Sequence, residues 1–233
     1  MAIGSFGRLL KRGLWVAFLL LVLLQCWFFA WILWWKWNPP QETRFMSIRL
    51  AELQEKNPNA KLNYRWVSYD QISSKLKRAV VASEDDKFMD HYGFDWDGIE
   101  YALTKNEKKG RLVAGGSTIT QQLAKNLFLT SKRSYLRKIQ EAVITVMLET
   151  CWTKHRILEV YLNVVEWGEG TFGAEAGARR HFGISAGALT ESQAAQMAVL
   201  LPSPRRYEKR LPPKIAAHAE SVRARMRYSE IPR

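Results

Sequence analysis

Gly115-Gly116-Ser117-Thr118-Ile119-Thr120-Gln121-Gln122-Leu123-Ala124-Lys125-Asn126 is the stretch that decides how this chain is read. Two glycines feed a hydroxyl-rich helix start, with Ser117 as the expected cap. Ile119, Leu123 and Leu127 then share one face at helical spacing. The free backbone N–H groups of such a start favour an anion, and Lys125 and Arg133 follow as charges able to hold a phosphate. A plain glycine turn with a good N-cap would look similar. It would not explain Thr118, Thr120, Gln121, Gln122 and Asn126 gathered together.

Outward from this stretch the signals stay helical. Ile72, Leu76, Ala79, Val80 and Ser83 recur at helical spacing after Asp70, the expected N-cap. Ile99, Ala102 and Leu103 mark a second helix, ended near Gly110. Ser134 opens another that carries Leu136, Ile139, Val143, Val146 and Met147, and Thr153 starts one with Ile157, Val160 and Tyr161. Thr190-Glu191-Ser192-Gln193 is a capping box, and Pro213 suits the first turn of the last helix. No sustained alternation competes, so the expected class is mainly α.

The N-terminal region is of another kind. Between Gly13 and Trp35 there is no charged residue, and Gln25 is the one strongly polar side chain. Such a helix is about 35 Å long, enough for a hydrocarbon core of about 30 Å. Trp15 stands near one end and Trp31, Trp34, Trp35 and Trp37 at the other, as interfacial aromatics do. Pro39 and Pro40 then stop the helix. A cleaved signal would have a shorter apolar core and a small-residue cleavage site. The expected order is a tail over 1–12, an anchor over 13–37, a juxtamembrane lead-in over 38–63 with room for a short strand, and a domain over 64–233. Basic residues flank both ends of the anchor, so charge alone leaves its orientation open.

The net charge of +13 suggests anionic partners such as lipid headgroups, phosphates or nucleic acid, although most lysines and arginines simply solvate helix faces. Cys26 falls in the apolar span and Cys151 in the domain, so no disulfide is expected.

Two further segments are dense in polar residues. Glu84-Asp85-Asp86-Lys87-Phe88-Met89-Asp90-His91-Tyr92-Gly93 closes the first helix of the domain. Successive carboxylates beside an apolar face raise one another's pKa, which suits a general acid or base; a solvated acidic helix end reads equally well. Arg137-Lys138-Ile139-Gln140-Glu141 precedes Lys154-His155-Arg156-Ile157-Leu158-Glu159-Val160-Tyr161-Leu162-Asn163. Arg137 and Glu141 are four apart, the spacing of an ordinary helix ion pair.

Taken together, these segments resemble the signature blocks of the family 51 glycosyltransferases, the peptidoglycan polymerases. The blocks E-D-x-x-F-x-x-H-x-G, G-G-S-T-I-T-Q-Q-L-x-K-N, R-K-x-x-E and K-x-x-I-L-E-x-Y-L-N stand in the family's order between Glu84 and Asn163. A looser fifth block runs from Gly168 to Gly183, where Gly177 and His181 replace the family's more frequent alanine and tyrosine. Two other matches are decoys. Gly168-Glu169-Gly170-Thr171-Phe172-Gly173 fits a dinucleotide fingerprint but follows a helical segment rather than a strand of a βαβ unit. Ser74-Lys75-Leu76-Lys77 fits the S-x-x-K of transpeptidases without S-D-N or K-T-G. The likeness is to the monofunctional branch.

The resemblance implies a lysozyme-like helical domain over 64–233, a cytoplasmic tail, and a catalytic domain on the periplasmic face of the bacterial inner membrane. It implies a growing glycan chain on lipid pyrophosphate as donor and the lipid-linked disaccharide-pentapeptide, lipid II, as acceptor. Membrane lipids and wall-synthesis proteins are the further partners, and nucleic acid is not one. Glu84 would be the base and Glu141 the second catalytic carboxylate. Lys125 and Arg133 would neutralise the leaving pyrophosphate, while Ser117, Thr118, Gln121, Gln122, Asn126, Arg137 and Lys138 bind substrate. No cofactor is required; magnesium or manganese has room at the pyrophosphate, without the His/Cys spacing of a tightly held metal. The rival is a membrane-anchored lysozyme-like hydrolase, which needs no pyrophosphate site.

Overall fold

The computed structural model describes residues 2–110, 115–132, 134–207 and 211–233, with side chains from Leu10 onward. The chain divides into two compact units, 1–38 and 39–233. The first is a single helix, α1 (Ala2–Trp35). Its segment Leu10–Trp35, with mean hydropathy 2.5, is long and apolar enough to cross a membrane.

Among the described residues, the second unit is helical apart from three very short strands. Its elements are α2 (Arg44–Gln54), β1 (Asn63–Tyr64), α3 (Ser74–Glu84), α4 (Trp96–Lys109), α5 (Ile119–Phe128), α6 (Tyr135–Cys151), α7 (Lys154–Val164), β2 (Glu166–Gly168), β3 (Thr171–Phe172), α8 (Ala174–Phe182), α9 (Glu191–Ala198), α10 (Pro204–Tyr207) and α11 (Pro213–Arg225). The strands form one sheet, with β3 central, parallel to β1 and antiparallel to β2. Residues Gly168–Gly173, the apparent dinucleotide fingerprint, span the β2–β3 turn and the entry to α8. A strand does precede the motif, contrary to expectation, but it belongs to a hairpin and not to a βαβ unit.

Helix α5 is central, packed on α2, α6 and α7, while α3 packs on α9 and α11. Ile119 and Leu123 are fully buried and Leu127 nearly so, each worth about 1.5–3 kcal/mol of apolar burial. Most helix starts follow their caps. Thr118 caps α5 in a reciprocal box with Gln121, one residue later than expected, which frees Ser117 to line a cleft. Ser73, not Asp70, caps α3, because Tyr69–Gln71 forms a separate 3-10 turn. Gly110 ends α4 at φ +60°, a conformation open to glycine.

From Pro39 on, the lead-in lies within the compact second unit, with α2 packed on α5 and a short strand, β1, begun at Asn63. Helix α6 turns its expected apolar face outward, with Leu136 80% and Ile139 62% exposed and Val143 and Val146 exposed beside them. Inward it turns Glu141, Ile144, Thr145 and Leu148. Both sets repeat at helical spacing, and the inner one packs on α5, with Ile144, Thr145 and Leu148 fully buried.

Candidate active site

Glu84 is the last residue of α3. Its Oε2 accepts a hydrogen bond of 2.9 Å from Gln122 Nε2 on α5, and Gln122 Oε1 accepts one of 3.0 Å from the Tyr161 hydroxyl on α7. Burial pushes the Glu84 carboxyl above the ordinary range, and the neighbouring Asp85 adds to this. The Gln122 bond and the Lys125 charge oppose it. Burial, then Glu84 and Asp85, push the Tyr161 phenol well up, so it remains a donor and fixes the Gln122 amide. The result is a desolvated carboxylate with one oriented amide partner.

The residues after Glu84 form a latch. Asp85 Oδ2 accepts from the Ile119 backbone N–H at 2.9 Å, and Asp85 Oδ1 lies 2.8 Å from His91 Nε2. His91 Nδ1 accepts from the Gly93 N–H at 3.1 Å, so Nε2 carries the proton toward Asp85. Gly93, at φ +85°, offers its carbonyl to the Thr118 hydroxyl at 2.7 Å. Asp85, His91 and Gly93 thus tie the end of α3 to the start of α5. Phe88 fills the core beneath, with the Lys154 ammonium 4.6 Å from its ring centre.

A cleft of about 420 Å³ opens beside α5, lined by Ser117, Gln121, Gln122, Lys125, Asn126, Arg137, Lys138 and Glu141. Glu141, 3% exposed, receives Arg137 at 2.5 Å and also Lys138, whose ammonium reaches the Ser117 hydroxyl at 3.4 Å. Both cations are held at the cleft wall by one buried carboxylate. Among the described residues, the Arg137 Nε is buried with no hydrogen-bond partner. Burial lowers the Lys125 pKa; Glu141 and Glu84 favour its charge, while Arg137 and Lys138 oppose it. No described carboxylate lies within 4.0 Å of the Lys125 ammonium. An incoming anion would relieve that repulsion among cations. Arg133 lies outside the described residues.

A second cleft, about 240 Å³, contains Glu84, Asp85, Asp86, Asp95, Thr118 and Arg225. Ser117 lines both clefts, so they meet at the α5 cap. Gly116 shapes this junction, since a methyl there would come within 3.1 Å of the Ile99 Cα.

Among the lining residues not foreseen are Phe45 and Arg49 from α2, and Glu166 from β2. Arg49 Nε donates to Glu166 Oε2 at 3.1 Å, and its guanidinium lies 4.7 Å from the Phe45 ring centre. In sequence Arg49 was one more basic residue after the anchor, with nothing to signal its place in a cleft. Among the described residues no group of three or more His, Cys, Asp or Glu side chains is placed to hold a metal ion. Among the described residues, the cations lining the larger cleft are Arg49, Lys125, Arg137 and Lys138.

A family model described as transglycosylase matches residues 50–227. The chain belongs to the transglycosylase family. It is 61% identical over 228 residues to a biosynthetic peptidoglycan transglycosylase of Azoarcus sp. (strain BH72), covering 98% of this chain and 99% of that one. A protein of the same name from Aromatoleum aromaticum is 58% identical over 231 residues, covering 99% of each. One from Dechloromonas aromatica is 54% identical over 227 residues, covering 94% of this chain and 98% of the relative.

Within this transglycosylase the two departures from the family pattern meet on one residue, Trp167. A methyl at Gly177 would lie 2.7 Å from Trp167 Cγ, and His181 Nε2 lies 2.6 Å from the Trp167 carbonyl oxygen. Trp167 is fully buried and occupies the space the alanine methyl would need. The decoy Lys77 is structural. Its ammonium donates to the Tyr69 carbonyl at 3.0 Å and lies 3.8 Å from the Tyr69 ring centre.

Proposed function

We propose that this transglycosylase polymerises lipid II into glycan strands by direct, inverting transfer. Glu84 takes the proton from the acceptor sugar's hydroxyl as that oxygen attacks the anomeric carbon of the donor chain. The new glycosidic C–O bond forms on one face while the bond to the lipid pyrophosphate breaks on the other, and the pyrophosphate leaves with the electron pair. Lys125, with Arg137 and Lys138, balances the charge that builds there. Arg133 adds to that set by the family's pattern. Glu141 holds Arg137 and Lys138 in place and thereby acts on the substrate through them. Ser117, Thr118, Gln121, Gln122 and Asn126 shape the two clefts.

One observation carries this reading: a desolvated carboxylate and a cation-lined cleft lie on either side of a shared residue, Ser117. A glycan hydrolase needs the carboxylate and has no use for the cations. A single-pass anchor over 13–37 would confine the enzyme to the plane of its lipid-linked substrates, on the periplasmic face of the inner membrane. The exposed apolar side chains of α6 give the domain a surface suited to membrane lipid. The test is gel-resolved polymerisation of labelled lipid II by the purified protein and by Glu84→Gln. Polymer from the wild type and none from the folded variant supports the reading. Cleavage of preformed glycan without polymerisation would replace it with the hydrolytic one.

A further inference from the structure

Three successive carboxylates, Glu84, Asp85 and Asp86, stand at the C-terminal end of α3, where the helix dipole is negative. Like charges and dipole both work against the last turn, and α3 ends on Asp85 at φ −164°, without a glycine cap. Something outside the helix must hold this end. Asp85 is held from one side by α5 and His91. Asp86 is held from the other side by the C-terminal tail. Ser229, buried at 3% exposure, donates from its hydroxyl to Asp86 Oδ1 at 2.8 Å. Arg225 lies 3.9 Å from Asp86 Oδ2.

The tail is itself fastened to the elements that lead into α3. Arg78, on α3, donates to the Ser229 carbonyl at 2.9 Å, and the Tyr69 hydroxyl donates to the Pro232 carbonyl at 2.7 Å. These contacts fall largely beyond residue 227, where the family match ends. Of their residues only Asp86 belongs to a motif read from the sequence, at a position where the E-D-x-x-F pattern leaves the residue open.

We propose that Ser229, with Arg225 beside it, is a positioning residue for Glu84: the tail fixes Asp86, and Asp86 fixes the direction in which the chain leaves the base. This rests on the reading of Glu84 as the base. The carboxylate must meet the acceptor hydroxyl within hydrogen-bond reach, so small rotations at the end of α3 lower turnover without weakening substrate binding.

Full-length wild type, Ser229→Ala, Ser229→Thr, Asp86→Ala and the double variant Asp86→Ala/Ser229→Ala are compared for kcat, KM and pH profile on lipid II, with melting as the folding check. The expected result is a roughly tenfold fall in kcat at unchanged KM for Ser229→Ala and for Asp86→Ala. The double variant should be no worse than either single one, since both remove the same interaction. Ser229→Thr, which keeps the hydroxyl, should recover most of the rate, and the acidic limb of the profile should move in the alanine variants alone. An unchanged kcat in folded Ser229→Ala, additive losses in the double variant, or a rise in KM alone would overturn the proposal. Should Ser229→Ala not fold, Asp86→Ala, at a half-exposed side chain, decides on the same criteria. Activity surviving in Glu84→Gln would overturn the base assignment itself, and that control separates the two failures.

Discussion

The two clefts that meet at Ser117 carry opposite charge. The larger is walled by Lys125, Arg137, Lys138 and Arg49, restrained by Glu141 and Glu166. The smaller gathers Glu84, Asp85, Asp86 and Asp95 around Arg225. The asymmetry runs in the direction in which charge moves during transfer. In the proposed reaction a proton is taken up on the carboxylate-rich side, and negative charge emerges on the cation-rich side. Each cleft is electrostatically uncomfortable when empty, and the reacting groups relieve both.

Removing the base should break this comparison most completely. Glu84→Gln is expected to lower polymerisation by about 10²–10⁴-fold, read as product per folded enzyme. The same variant should melt higher than wild type at neutral pH. Burial raises the Glu84 pKa in the folded state, so its ionised form costs stability. That cost is absent below the unfolded carboxylate range, about pH 4.3, grows as pH rises through it, and is complete above the folded pKa. The difference in melting temperature should therefore close on acidification, and a gap independent of pH would contradict the assignment.

On the other side, Lys125→Ala should cost about 10²–10³-fold in kcat. Lys125→Arg should restore part of it and carry the alkaline limb to higher pH, because burial holds the lysine pKa down and arginine keeps its charge. Equal loss in the alanine and arginine variants would mean that shape rather than charge matters here.

A smaller change sharpens the comparison. Gln122→Ala removes the hydrogen bond that lowers the Glu84 pKa, so the acidic limb should move to higher pH while the alkaline limb stays. Movement of both limbs together would show that the clefts titrate as one unit. Gly177→Ala is the control outside both clefts. Its methyl collides with Trp167, so about 1–3 kcal/mol of stability should be lost in denaturant titration, with turnover per folded molecule unchanged.

Much of the chemistry was legible because it resides in spaced residue types. Glu84, the α5 cap and the Arg137–Glu141 pair are local patterns: the structure places Glu84 at the end of α3, the cap at Thr118 and Arg137 on Glu141. The latch inside the first motif was not legible. Asp85 reads as one of the successive carboxylates suited to acid–base work, yet it bonds to His91 and to the start of α5. Nor was the role of Phe45, Arg49 and Glu166, since α2 reads as polar lead-in until it packs on α5.

By itself the sequence determined the helical class, the long apolar helix at the front and the spaced polar segments that form the candidate site. These follow from periodicity, capping and side-chain chemistry, which act over a few residues. Only the tertiary structure decided which face of α6 is buried, that residues 39–63 belong to the domain, and that Ser229 meets Asp86. Those outcomes depend on which faces and side chains meet across the fold, and a partner distant in sequence leaves no local trace.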